Sequence, residues 1–439
     1  MYNSKLILCK IAIFFGLIQW GYSQEVVFNK HIAPIIFKNC SPCHNNKGPG
    51  PFPLLSYGDV AKRGKMIKHV TETRYMPPWH PDNHYREFLD KRGLTSKEIS
   101  LIKQWVDQGM VKGGDTLKIA PTLNGKKPKP DLVLRMKDAY TIKGDNKERF
   151  MIIRIPYELK KDTNVCLCEF VPGNIKRVHH MDAYNYNLSP DSDLNKGQYF
   201  YNNDSVKSVR EVYHLFNLFK SNGKPADASF AISDYFPGAV PRRYPEGIAQ
   251  TFRMAKKGVI LIDQIHYGGT SKPETDQSYF NIYFCKKKPE RPITVLPIGT
   301  PKFKVTPQLL IQPNEKKEFT TQYLTPKDIS LLSVQPHMHL IGKKFLAYAV
   351  TPQKDTIKLI KIDKWDFKWQ RVYTFKSMLK IPAGSTIYAK AWYDNSSDNP
   401  QNPFNPPKLI KESYRTTDEM LQFWIYYVPY KPGDEMKVL

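Results

Sequence analysis

The residues that carry redox and metal chemistry are scarce in this 439-residue chain, with six cysteines and eleven histidines. At such densities chance clusters are few, so where these residues gather is informative. Long apolar runs are missing too. Only Leu6 to Trp20, interrupted by Lys10, approaches one, and nothing downstream is long enough to span a bilayer as a helix. No segment repeats at a fixed period. Acid is short: 41 Asp and Glu stand against 66 Lys and Arg, for a net charge of +25. The lysine clusters (Lys126-Lys127, Lys286 to Lys288, Lys316-Lys317, Lys343-Lys344) are dispersed and lie in no nucleic-acid module. They read as a solvated basic surface, with an acidic electron-transfer partner or an anionic cell surface as the alternatives. What is abundant is aromatic and turn-forming: 26 Tyr, 23 Phe and 35 Pro point to a β-rich chain.

The N-terminus has the form of a secretory signal: basic Lys5, an apolar stretch, then small Gly21 and Ser23, with cleavage expected before Gln24. The mature protein is therefore expected in the periplasm or secreted, without a stable membrane span. Cys9 leaves with the signal. In an oxidising compartment, Cys166, Cys168 and Cys285 predict one disulfide and a spare thiol, with Cys168 to Cys285 the preferred pair. Cys166 and Cys168 alternate along a strand, which holds them too far apart to bond to one another.

The composition divides the chain into a signal at 1–23, a helical domain at 24–114, a Pro/Gly/Lys-rich linker at 115–131, and two β-rich domains at 132–297 and 298–439. In the first domain, 26–38 and 59–73 read as helical. Thr95 and Glu98 form a capping box before the stripe Ile99, Ile102, Trp105, Val106, and Gly109 ends that helix. Beyond the linker, short alternating runs bounded by turns read as strands: Phe150 to Ile155, Val165 to Val171, Val259 to Tyr267, Tyr279 to Phe284, Ile329 to Val334, Lys344 to Val350, Ser385 to Tyr393 and Gln422 to Val428. They suggest a pair of β-sandwiches.

Residues 40–44 read Cys-Ser-Pro-Cys-His. Two thiols at this spacing suit the two vinyl groups of one haem, and His44 follows as an iron ligand. Met76, stiffened by Pro77 and Pro78, is the candidate sixth ligand, with His69, His80 and His84 as rivals. Segment 26–109 resembles a class I cytochrome c domain of the compact, fused kind, which implies one covalent haem c. The expected architecture is thus an all-α cytochrome c domain followed by two all-β, jelly-roll-like sandwich domains.

Five further histidines form three groups: His179-His180, His266 in Gln264-Ile265-His266-Tyr267-Gly268, and His337-Met338-His339. On a strand His337 and His339 face one side. His179 and His180 face opposite sides unless they sit at a bulge or strand end. Imidazole sets suit copper, zinc or iron. His214 stands alone. The order His-His, His-Tyr-Gly, His-x-His, then Asp418-Glu419-Met420, with Phe236-Pro237-Gly238-Ala239 and Tyr244-Pro245-Glu246-Gly247 before the third histidine, resembles the copper type II, ascorbate-dependent monooxygenases over about 150–435.

That resemblance implies two copper ions. One would be held by His179, His180 and His266, and the other by His337, His339 and Met420, the catalytic centre. It also implies dioxygen, a small-molecule substrate whose C–H bond becomes hydroxylated, and an external donor such as ascorbate or a redox protein. Gln264, Tyr267 and Gln335 would support the ligands. Peptide-amidating members carry an Arg where Gln335 stands, and Trp424 and Gln422 also depart from their pattern, so glycine-extended peptides are not expected as substrates. The fused haem suggests an inlet that passes electrons to the three-histidine copper and on to the second. The competing readings are a non-enzymatic electron-transfer or copper-binding protein, and a haem sensor on a surface-binding sandwich.

Overall fold

The structure is a computed structural model describing residues 25–89, 91–114, 128–237 and 244–439; the side chains of residues 230 and 231 are not described. The expected signal, most of the linker, and Gly238 and Ala239 lie outside these residues. No helix among the described residues is long and apolar enough to cross a membrane.

The chain is mostly β, with 39% strand and 14% helix. The first β unit opposes two sheets. A four-stranded sheet runs Leu132–Arg135, Tyr279–Phe284, Thr163–Val171, Phe252–Met254. A five-stranded sheet runs Phe200–Asn202, Arg149–Glu158, Lys257–Tyr267, Val178–Asn187, Asp227–Tyr235. Ile153, Ile262, Val165 and Phe280 meet between them in one core. The second unit repeats the plan. Its four strands are Thr294–Gly299, Gln422–Pro429, Ile329–His337 and Tyr373–Ile381. Its five are Val305–Thr306, Lys316–Leu324, Thr386–Asp394, Gly342–Val350 and Thr356–Ile362. Leu331, Val334, Phe345 and Phe423 lie in its core. A smaller apolar cluster, including Ile248, Leu332, Trp424 and Tyr426, joins the two units back to back.

The all-α cytochrome c domain expected at the N-terminus is not there. Its segment holds only short helices: Phe28–Ile32 wound as a π-turn into Ala33–Asn39, then Tyr57–Ala61, Gly64–Glu72 and Ser96–Asp107. The Thr95/Glu98 capping box forms as the sequence predicts. Helix 59–73, read as continuous, breaks at Lys62-Arg63. Prolines 42, 49, 51 and 53 prevent helix after Cys40, and prolines 77, 78 and 81 prevent it after Met76. The second irregular stretch leaves the helical core and joins the second β unit. Pro81 bridges to Ile362 and Phe88 to Phe375, and the Phe88 ring is buried in that unit's core. A segment that lends its aromatics to a β core cannot close an independent all-α domain.

The preferred disulfide is also corrected. Cys166 pairs with Cys285, their Cα atoms 4.9 Å apart, and Cys168 is free and buried. The register explains it. Tyr283 faces Leu167 but Phe284 faces Val165, which leaves Cys166 as the extra residue of a bulge beside Cys285. Strict alternation misses that shift.

One buried ion pair ties the junction between the units to the C-terminus. Arg291 grips Asp434 through both nitrogens at 2.8 and 2.6 Å, and the Ser330 hydroxyl donates to the same carboxylate. Asp434→Ala is expected to cost about 3–5 kcal/mol, because it strands a buried guanidinium. Arg291 and its neighbours hold the Asp434 carboxyl far below the usual range. A depressed acid stabilises above its unfolded pKa of about 3.9 and loses that contribution as pH falls towards its folded value. Urea midpoints at pH 7 and pH 3 test both statements: the wild type should lose stability on acidification, and the Asp434→Ala protein should lose less.

Candidate metal centre and adjoining pocket

Two bulges aim the histidines. On Lys257–Tyr267, Ile260 and Ile262 enter the core, and so do Ile265 and Tyr267. The periodicity resets at Asp263-Gln264, where the ladder shifts register. The reset turns Gln264 and His266 out of the core, towards the second unit. The strand Ile329–His337 does the same. Ile329 and Leu331 are core, as are Val334 and Met338, with a register shift between Leu331 and Ser333. Gln335, His337 and His339 are therefore left on the opposite face.

The structure brings His179, His180 and His266 together. His266 faces His180 across the ladder, but Tyr267 faces Val178, so His179 occupies a bulge, the condition the sequence required. The His179 and His180 rings lie 4.7 and 5.0 Å from that of His266. His180 and His266 are almost wholly buried. Neither ring nitrogen of His180 closes a hydrogen bond of ordinary geometry, although the Gln264 amide lies close by. Nδ1 of His179 is likewise buried without a partner among the described residues. Burial, reinforced by the neighbouring imidazoles, pushes His179 down to about 4 and His180 well below its usual value. Buried neutral imidazoles with unpartnered nitrogens are the donors that a copper or zinc ion takes. Gly268 makes room for them, since a Cβ there would fall 2.6 Å from Nε2 of His179. Tyr267 does not support this group. It points into the core and donates to Asp276 at 2.8 Å.

His337 and His339 also converge, with ring centroids 5.2 Å apart. Burial lowers His337 to about 3 and His339 to about 4. Nδ1 of His339 lies 3.0 Å from the Asp418 carbonyl, which fixes that nitrogen as the donor and leaves Nε2 free for a metal. Met420 lines the same pocket as both histidines.

Two residues here carry roles that sequence reading missed. Glu419, wholly buried, accepts from the backbone N–H groups of His339 at 2.8 Å and Ile341 at 2.9 Å, and so clamps the histidine loop to the segment bearing Met420. Burial raises its carboxyl to about 8. Glu419→Ala would leave two buried donors unpaired, at about 1–3 kcal/mol each. Thermal unfolding should fall by several degrees, and a metal ion offered to both histidine groups should be lost from His337/His339 first. Phe367, from a short turn of the second unit, stands between the two groups. Its ring lies 5.2 Å from His180 and 6.1 Å from His339.

A pocket of about 560 Å³, including its mouth, opens beside His337, His339 and Met420. Its opposite wall is Asp182, Tyr184, Asp263 and Gln264 from the first unit. Asp263 is nine-tenths buried, takes a hydrogen bond from Tyr184, and keeps one oxygen without a partner. Burial and the nearby Asp182 push its carboxyl well up. No Lys or Arg lines this pocket among the described residues. Gln335 accepts from the Tyr426 hydroxyl at 2.9 Å, and the Trp424 indole donates to Gln422 at 3.0 Å.

Cys40, Cys43 and His44 lie at the end of the helix Ala33–Asn39, with both thiols free. His44 Nδ1 lies 3.1 Å from the Phe52 carbonyl, which leaves Nε2 open. Burial raises both thiols, with Arg92 and Arg371 opposing it at Cys43. Arg371 also acts on His80, whose imidazole is lowered chiefly by burial. The Met76 backbone N–H is held by the Val70 carbonyl, His69 lies on the helix Gly64–Glu72, and the His84 N–H is capped by Asp82.

Residues 298–438 match the family model of the copper type II ascorbate-dependent monooxygenase C-terminal domain, so the second β unit is such a domain. Tyramine beta-hydroxylase of Caenorhabditis briggsae is 22% identical over 271 residues, which are 59% of this chain and 41% of that protein. The chain thus spans about two fifths of the relative's length. Among solved structures, the infectious bursal disease virus VP2 subviral particle aligns at TM-score 0.18 and 8% identity, over 71% of this chain and 75% of that one. The virus of strain Gx aligns at TM-score 0.18 and 7% identity, over 72% and 77%. Likeness that slight carries nothing for fold or function.

Proposed function

We propose that the chain is an extracytoplasmic copper monooxygenase that hydroxylates a C–H bond of a small cationic substrate, using dioxygen and an external reductant. One convergence carries the reading: His337, His339 and Met420 open onto the same pocket as two acidic side chains from the other β unit. His179, His180 and His266 would hold one copper, and His337, His339 and Met420 the second, with the soft thioether favouring Cu(I). The pair of ions would supply the two electrons and the oxygen chemistry of the hydroxylation.

The chain's own groups set the conditions. The Asp418 carbonyl orients His339, and Glu419 fixes the loop that presents it. Asp182 and Asp263 would hold a substrate ammonium, with Tyr184 and Trp424 offering aromatic surface beside it. A primary arylalkylamine, the class named by the tyramine-hydroxylating relative, meets these demands. Phe367 would fill part of the interval between the histidine groups.

We further propose haem c on Cys40 and Cys43 with His44 on its iron, carried by a segment anchored to the second β unit. Free thiols in a chain that forms another disulfide, and an imidazole preset by the Phe52 carbonyl, support the attachment. The haem would supply electrons from an external donor. Of the rivals to Met76 as sixth ligand, His80 shares the field of Arg371 with Cys43. The Cys166–Cys285 disulfide supports an oxidising compartment.

Metal analysis of haem-loaded protein should give one iron and two coppers per chain. The reduced protein should consume dioxygen in step with amine hydroxylation. Iron without copper would remove the reading. Oxygen uptake that survives loss of His337, His339 and Met420 would favour an electron-transfer or copper-binding protein instead.

A further inference from the structure

Glu148 immediately precedes the strand Arg149–Glu158, which pairs with the strand carrying His266. The ladder sets Arg149 against Tyr267 and Phe150 against His266, so Glu148 emerges at the end of the sheet where the three histidines gather. Its Oε2 lies 3.3 Å from Nε2 of His266. Donor atoms of Glu148, His179 and His266 all fall within 4.8 Å of one another. The other carboxylate oxygen, Oε1, accepts from Lys368 Nζ at 2.6 Å, and Lys368 follows Phe367 on the turn that the second unit inserts between the histidine groups. The carboxylate is thus shared between the three-histidine group of one unit and a lysine of the other.

We propose that Glu148 is a fourth ligand of the His179/His180/His266 centre, binding copper in its Cu(II) state, and that Lys368 competes for the same carboxylate from the second unit. This rests on the copper reading above. A carboxylate is a hard donor and adds most to Cu(II), whereas Cu(I) is satisfied by imidazoles. Once an external reductant has converted Cu(II) to Cu(I), Oε2 would no longer be held by the metal, and the carboxylate would rest on the Lys368 ammonium through Oε1 alone, with no proton gained or lost. The contact between the β units at Glu148–Lys368 thereby follows the oxidation state of the three-histidine copper. The alternative, a surface ion pair that merely borders the histidines, would leave copper binding indifferent to Glu148.

The test uses the full chain, with the second centre removed by His337→Ala/His339→Ala so that only one copper is bound. Copper alone is the probe, added as Cu(II) and, with ascorbate and a chelating competitor, as Cu(I). In this background Glu148→Gln should weaken Cu(II) binding on the order of 10–100-fold, the range seen when groups supporting a metal are lost. Cu(I) affinity should change much less. The Cu(II) paramagnetic resonance spectrum should move towards an all-nitrogen protein ligand set, and Glu148→Asp should restore part of the wild-type signal. Lys368→Met should tighten Cu(II). Unchanged Cu(II) affinity and spectrum in Glu148→Gln, or equal weakening of Cu(I) and Cu(II), would overturn the proposal. Copper uptake indifferent to His179→Ala and His266→Ala would sink the three-histidine site itself, which is a separate failure.

Discussion

His337→Ala is expected to leave the protein with one copper fewer and with hydroxylation slowed by at least about 100-fold, since losing groups that merely support a metal already costs 10–100-fold in affinity or activity. The size of the effect follows from how few donors the second centre has. In the proposed centre His337 and His339 would supply the imidazoles and Met420 the thioether, and the next donor along, Glu419, has both carboxylate oxygens engaged by the backbone of the histidine loop. Folding should suffer little, because His337 is the last residue of its strand and is less covered than the residues before it. Copper content, oxygen uptake and thermal midpoint measured on one preparation separate these effects. A variant that keeps two coppers, or that loses activity only because it unfolds, would contradict the assignment. His180→Ala offers the informative contrast. It should remove the other copper while leaving substrate binding at the pocket close to normal.

The strands were readable because each unit buries one face of each sheet, and alternation in runs such as Tyr279–Phe284 records that burial directly. Which face the histidines take was not readable by alternation, since a bulge lies upstream of them on both strands. Only the polar interruption Asp263-Gln264 inside Val259 to Tyr267 hinted at one of these shifts. Cys166 was missed as the disulfide partner for the same reason. The N-terminal segment misled differently. Its helices lie close to where periodicity puts them, apart from the break at Lys62-Arg63, but nothing local tells that Trp79 and Phe88 bury themselves against the second β unit, 200 residues and more away. Ligand groups with a spacing signature, His337-x-His339 and Cys40-x-x-Cys43-His44, could be found from sequence. Asp182, Asp263, Glu148, Glu419 and Phe367 could not, because each acquires its role from a partner far along the chain. Asp182 and Glu148 each stand close in sequence to a histidine ligand or to the strand that pairs with one, and that nearness was the only clue.

In the proposed function the acidic wall of the pocket selects a cationic substrate, and Asp263→Asn is the change that reads it. Asp263 is nine-tenths buried with one oxygen unpartnered, Asp182 lies close enough to disfavour its charge, and no Lys or Arg lines the pocket among the described residues. Burial and Asp182 favour the protonated form of Asp263, and a substrate ammonium reverses that by pairing with the ionised carboxylate, which a neutral or anionic substrate does not. Removing one partner of a buried charge pair costs about 2–5 kcal/mol. The KM for a primary arylalkylamine should therefore rise by about 30-fold or more, at 1.4 kcal/mol per tenfold. In the proposed site the chemistry lies at the opposite wall, with His337, His339 and Met420, so kcat should change far less than KM. An alcohol of the same skeleton should bind no worse to the variant than to the wild type, because the asparagine amide removes a charge that the alcohol never used. Asp182→Asn should shift the same ratio in the same direction. The selectivity ratio, amine over alcohol in kcat/KM, is the quantity to measure, since a general loss of pocket structure would lower both numbers together. If Asp263→Asn lowers both equally, the two carboxylates are structural and the substrate is not a cation. If the ratio alone collapses, Asp263 sets the charge of what is hydroxylated.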